Sequence, residues 1–175
     1  MNESARSFPP IAAPDARVLI LGSMPGVASL AAGRYYAHPR NAFWPIIGNI
    51  VGIPEGADYA TRIEAVLGAG IALWDVLHSC RRRGSLDSAI EGDSMVVNDL
   101  PGFLARHPQV TRICFNGATA EACFRRHIPL AALPGLAPEI IRLPSTSPAH
   151  AGMTFAAKLA AWQAALGHVG KPARN

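Results

Sequence analysis

The sequence predicts an α/β fold in which a mostly parallel, four-stranded sheet carries helices on both faces. Two observations lead there: four short apolar runs rich in Ile, Val, Leu and aromatic residues recur along the chain, and segments with helical apolar spacing separate them. No internal repeat or low-complexity block interrupts that alternation. The first strand is 17–21 (RVLIL), apolar throughout as a strand covered on both faces should be. Gly22-Ser23-Met24-Pro25-Gly26 then turns the chain into a long loop that ends at Asn41. Asn41 is placed to cap a helix over 42–51, where Pro45 is tolerated because it falls in the first turn. Asp58 opens a second helix over 59–67, and 70–74 (GIALW) is the second strand. A helix over 99–106 follows Asn98, the third strand is 111–115 (TRICF), and a helix over 118–127 comes next. The fourth strand is 139–143 (EIIRL), and the last helix begins at Thr154 and stops at Gly167. One domain over 17–167 is expected, with 1–16 and 168–175 as loose ends.

Composition narrows the class. Of 175 residues half are hydrophobic and 16% are charged, enough for a sizeable core. No apolar run reaches the ~18 residues of a membrane span, and MNESARSFPP lacks a signal-peptide core, so a soluble protein of the cytoplasm is expected. Cys80, Cys114 and Cys123 are widely spaced, which argues against a disulfide framework or a metal cluster; they read as reduced packing residues. The net charge of +4 permits a polyanionic partner without requiring one. Arg81-Arg82-Arg83 and Arg125-Arg126-His127 can meet phosphates or simply form solvated ends of elements.

Open α/β sheets bind ligands beyond the carboxyl ends of their strands. After the first strand comes GSMPG through Asn41, after the second Asp75 to Arg83, after the third Asn116-Gly117, and after the fourth Pro144-Ser-Thr-Ser-Pro-Ala-His150. The residues least suited to a core therefore share one rim, and a single site is expected there. Gly22, Gly26 and Gly117 permit tight turns and close backbone approach at that rim.

At these residues the sequence resembles a known family. GSMPG followed by YYAHPRNAFW, then ALWDVLHSCRRRGSLDSAI, CFNGATA and LPSTSPAHAG are similar to the hypoxanthine-DNA glycosylases (DNA-deoxyinosine glycosylases) of the uracil-DNA glycosylase superfamily, over roughly residues 17 to 165. The resemblance implies a three-layer α/β/α sandwich with a four-stranded parallel sheet. It also implies a monomer that flips a deaminated base, hypoxanthine from deoxyinosine foremost, out of double-stranded or single-stranded DNA. Hydrolysis of the N-glycosidic bond then proceeds without cofactor or metal. A uracil or mispaired-thymine glycosylase, a hydrolase of free nucleosides, and a non-catalytic module that binds damaged DNA are the competing readings.

Such a reaction passes through an oxocarbenium-like state, so the site must stabilise charge on sugar and base and hold an attacking water. The superfamily often carries a carboxylate or Asn in the first turn, where this chain has only Ser23 and Met24. In the resembling family the catalytic Asn lies in HPRN, which maps to Asn41; its alternative role is the helix cap. Asp75 stands where uracil-excising relatives often carry Asn, and as a carboxylate it would accept N1–H of hypoxanthine and repel O4 of uracil. Its plain alternative is a loop cap or an ion pair with the 81–83 arginines. Tyr36 and Phe43, with Tyr35, are candidates to sandwich the base, or else core aromatics, and Asn116 completes the base-contacting set.

Ser145, Ser147, Pro148 and Ala149 suit phosphate contact and a wedge into the gap left by a flipped base, although a merely structural turn has the same composition. His150 can donate to the leaving base, with a structural histidine as the alternative. His38, Arg40 and Arg82 are expected against DNA. Neither of the two lysines, Lys158 and Lys171, follows a strand end, so a monofunctional glycosylase with no Schiff base is expected.

Overall fold

The computed structural model describes residues 3–135, 137–167 and 169. Four strands, β2 (Val18–Gly22), β3 (Ile71–Asp75), β6 (Arg112–Asn116) and β7 (Glu139–Leu143), form a parallel sheet in the order β3-β2-β6-β7. They are the four apolar runs, each within one residue of its expected limits. Side chains alternate across the sheet as the pleat requires: Leu19 and Leu21 join one apolar cluster, Val18 and Ile20 the other. Helices α2 (Phe43–Val51), α3 (Tyr59–Gly68) and α6 (Phe155–Leu166) supply Phe43, Ile46, Ile47, Val66 and the fully buried Trp162 to the second cluster. Helices α4 (Leu100–Arg106) and α5 (Ala118–His127) cover the opposite face through Phe103, Leu104 and Phe124. Each fully buried Leu, Ile or Phe side chain contributes about 1.5–3 kcal/mol, so both faces are needed to hold the sheet.

Helix starts follow local chemistry where the cap is local. Asp58 accepts the Thr61 N–H at 2.8 Å and Thr154 accepts that of Ala157 at 3.2 Å, as their residue types predict. The expected cap at Asn98 is corrected: Asp99 accepts the Gly102 N–H at 2.9 Å. Asn98 is instead buried, and its amide donates to the Asp75 and Leu77 carbonyls at 2.9 and 3.2 Å. A buried amide so placed satisfies backbone acceptors that the end of a parallel strand leaves open.

Two further expectations are corrected. Residues 1–16 are not a loose end among the described residues: β1 (Glu3–Arg6) pairs antiparallel with β4 (Leu77–Arg82), which also pairs with β5 (Val96–Val97). Ile11 bridges Leu73, and the Phe8 carbonyl accepts the Trp74 indole N–H at 3.0 Å. Neither ESAR nor LHSCRR has strand-like patterning; they are strands because each satisfies the other's backbone. The loop expected from 22 to 41 contains a short helix, α1 (Val27–Ala32), closed by Gly33 at φ 61°. The tail expected over 168–175 lies outside the described residues except Val169, which packs in the second cluster. No helix among the described residues is long and apolar enough to cross a membrane.

Candidate active site

Adjacent strands β2 and β6 lead in opposite directions, β2 to β3 and β6 to β7, so a crevice opens at their carboxyl ends. A cavity of about 350 Å³ occupies that crevice. Segments from every strand end of the parallel sheet wall it: the 22–26 turn, the 35–41 loop, Asp75, the 85–88 turn, Asn116 and the 145–150 loop.

The turn after β2 is held from below. Ser23 Oγ donates to Asp87 Oδ1 at 2.8 Å, and the Val27 N–H donates to Ser85 Oγ at 2.9 Å. The Arg82 guanidinium donates to the Pro25 carbonyl at 2.5 Å and lies 4.0 Å from Asp87. Its side chain is 1% exposed, so the DNA contact expected of Arg82 is corrected to a buried brace for the turn. Of the neighbouring arginines, Arg81 is exposed and paired with Glu91 at 2.7 Å. Met24 is buried in the core cluster with its edge on the cavity.

Asp75 ends β3 at 3% exposure, and its Oδ2 has no hydrogen-bond partner among the described residues. The arginine ion pair allowed for Asp75 does not form: Arg82 pairs with Asp87. Burial, reinforced by the nearby charge of Asp87 and only partly offset by Arg82, pushes the Asp75 carboxyl up to about 8. Burial thus disfavours the ionised form that the sequence reading assumed for Asp75. Gly22 is required beside it, because a Cβ there would lie 2.6 Å from Asp75 Oδ1.

Tyr36 has φ 55°, a left-handed conformation costing a non-glycine residue roughly 1–3 kcal/mol, which only dense surroundings maintain. Its ring stacks on Phe43 at 3.7 Å with planes 18° apart, and burial pushes its phenol pKa upward. Phe43 is fully buried behind Tyr36 and meets Trp44 and Trp162 edge-on. The direct base contact expected of Phe43 is thus corrected to a backing role, while Tyr36 lines the cavity. Tyr35 also borders the cavity but is largely buried, its hydroxyl donating to the Pro9 carbonyl at 3.3 Å. Asn41 faces the cavity and accepts the Phe43 N–H on Oδ1 at 2.9 Å, one residue before the Ala42 cap position. That bond fixes the amide yet leaves a second Oδ1 lone pair and both Nδ2 donors for other partners. His38 lines the cavity with Nδ1 accepting the N–H of the exposed Arg40 at 3.1 Å.

The 144–150 loop is tied at both ends. The Trp162 indole donates to the Pro144 carbonyl at 3.0 Å, and the buried Lys158 Nζ donates to the His150 carbonyl at 2.7 Å. Between them Asn116 grips Thr146 twice: Nδ2 donates to Oγ1 and Oδ1 accepts the N–H, each at 2.9 Å. The Ala42 N–H also donates to the Thr146 carbonyl at 3.0 Å, joining this loop to the segment that carries Asn41. Short bonds from Ser147 N to Ser145 Oγ and from Ala149 N to Ser147 Oγ, both 3.2 Å, shape the tip. Ala149 and His150 are exposed there, and both line the cavity, as do Ser145, Ser147 and Pro148. Gly117 has φ 99°, and a Cβ on it would approach Ser145 Cβ to 3.0 Å, so glycine lets this loop close on β6.

The phosphate contact that the Thr146 hydroxyl suggests by its type is corrected: Thr146 is 1% exposed and its Oγ1 accepts from Asn116. Asp87 and Ser85 were not singled out by the sequence. Asp87 falls in the GSLDSAI block, where no spacing distinguishes it from an ordinary turn residue; only folding sets it opposite Ser23.

Comparisons with known proteins place the chain in a family. The model of the Uracil DNA glycosylase superfamily matches residues 9–166. A hypoxanthine DNA glycosylase of Methanosarcina acetivorans is 36% identical over 146 residues, 83% of this chain and 87% of that one. One from Methanosarcina barkeri is 34% identical over 113 residues, 64% of this chain and 70% of its own. The solution structure of a candidate uracil DNA glycosylase from M. acetivorans superposes with TM-score 0.77 at 30% identity, covering 95% of this chain and 98% of that one.

Proposed function

The chain belongs to the uracil DNA glycosylase superfamily, and from that premise we propose that it extrudes a deaminated base, hypoxanthine foremost, from DNA and hydrolyses its N-glycosidic bond. The observation that carries this reading is convergence: Asn41, Asp75 and the 145–150 tip, distant in sequence, border one cavity of about 350 Å³. In this reading Tyr36, backed by Phe43, stacks on the flipped base, Asp75 meets its edge, and the Asn41 amide holds water against C1′. Pro148 and Ala149 fill the gap in the helix, Ser145 and Ser147 with His38 and Arg40 contact the backbone, and His150 donates to the departing base. Asn116 acts through Thr146, positioning the loop. Lys158 is engaged with the His150 carbonyl, which supports hydrolysis by water without a Schiff base.

Double-stranded DNA in the cytoplasm, met by a monomer, is the substrate setting we propose, with single strands as a second form. Uracil is the second base reading, favoured by the description of the M. acetivorans solution structure. Excision from matched duplexes carrying inosine, uracil or xanthine tests all of these. Release of hypoxanthine by the wild type, with strong loss in Asn41→Ala, is expected; binding without release would identify a damage-binding module instead.

A further inference from the structure

Two carboxylates border the base cavity, and their surroundings differ. Burial pushes the Asp87 carboxyl upward, but Asp87 accepts from Ser23 Oγ at 2.8 Å, is hydrogen-bonded by Thr119, and has the Arg82 guanidinium at 4.0 Å, all of which favour its charged form. Asp75, buried at the end of β3, has an Oδ2 without a hydrogen-bond partner and no ion pair among the described residues. When neighbouring acids have such unequal partners, the group with donors and a cation keeps the negative charge and the other keeps the proton.

Deepening the glycosylase reading, on which it rests, we propose that Asp75 reads the base as a neutral carboxylic acid and that Asp87 is the positioning residue that holds it so. A deaminated base offers a lactam edge, a carbonyl beside an N–H. A carboxylic acid matches it with two bonds: its O–H donates to the carbonyl oxygen and its C=O accepts the N–H. A carboxylate would accept the N–H but repel the adjacent carbonyl. The substrate class is any base carrying that edge, so purine against pyrimidine is decided elsewhere in the cavity. The other groups around Asp75 are Arg82 from β4, Tyr35, Tyr36 and His38 from the loop before α2, and His150 from the loop after β7. The pKa of about 8 for Asp75 agrees with the geometry.

The test is single-turnover excision of hypoxanthine from duplex DNA between about pH 6 and pH 9.5, together with carbon-13 NMR titration of the Asp75 carboxyl in free protein. In the wild type the rate falls roughly tenfold per pH unit on the alkaline side, and the carboxyl titrates above neutrality. Asp87→Asn removes the neighbouring charge and moves both midpoints down by roughly half to one unit. Asp75→Asn donates and accepts but does not titrate; it lowers the rate near pH 6 several-fold, loses the alkaline limb, and overtakes the wild type at the highest pH. A wild-type profile flat to high pH, a carboxyl titrating in the ordinary acidic range, or an Asp87→Asn limb that stays in place overturns the inference while hypoxanthine release continues. Absence of any base release at any pH overturns the glycosylase reading itself, whichever way the carboxyl titrates.

Discussion

The rings of Tyr36 and Phe43 lie face to face, 3.7 Å apart, in a contact that joins the cavity wall to the core packing of α2. Phe43 touches Trp44 and Trp162, so the orientation of Tyr36 is set from inside the protein. Base stacking on an aromatic side chain is worth about 1–3 kcal/mol, roughly a 5- to 150-fold effect. Tyr36→Gly should lower kcat/KM for inosine duplex within that range, and its Tm should fall less than that of Tyr36→Ala because glycine accepts φ 55° without strain. Excision kinetics beside thermal unfolding of both variants check this.

Asn41→Ala should separate chemistry from binding. Among the described residues its side chain makes one hydrogen bond, to the Phe43 N–H, worth about 0.5–1.5 kcal/mol, so the fold and affinity for inosine duplex should persist. The excision step should fall by about 100-fold or more. Equal losses in affinity and rate would point to a structural role alone.

Arg82 and Arg40 should behave oppositely. Arg82→Ala empties a buried brace and removes the charged donor to the Pro25 carbonyl, so unfolding by urea should show a loss of about 1.5–3 kcal/mol. Arg40→Ala, at an exposed position, should leave stability unchanged and lower the slope of log affinity against log salt by about one.

The buried Asp75 carboxyl makes stability pH-dependent in a direction fixed by its raised pKa. Between the ordinary carboxylate range and about 8 the folded state binds a proton that the unfolded chain has released, so stability falls as pH rises through that window. Above it the penalty is complete. Asp75→Asn carries no such penalty and should unfold at a higher temperature than the wild type in alkaline buffer, which a Tm series across pH would show.

Lys158 should yield no covalent adduct when borohydride is added to protein and inosine duplex, since its Nζ is committed to the His150 carbonyl. Lys158→Met should loosen the 144–150 loop and weaken duplex binding about tenfold while leaving the fold intact, measured by fluorescence anisotropy and circular dichroism.

Much of this architecture was legible in the chain itself. RVLIL, GIALW, TRICF and EIIRL declare strands because a strand covered on both faces must be apolar throughout, and Asp58 and Thr154 declare helix starts because their caps are satisfied within three residues. The rim also followed, since the positions after parallel strands share one edge of a sheet. The pairing of β1 with β4 was hidden, because neither segment is patterned as a strand without the other. Burial decided the remaining chemistry. An arginine in a run of three reads as solvated until Arg82 is found enclosed, and an aspartate reads as ionised until its partners are counted. Whether a side chain keeps its charge depends on solvent and neighbours supplied by distant segments, and only the folded chain brings Asp87 to the cavity that Asp75 borders.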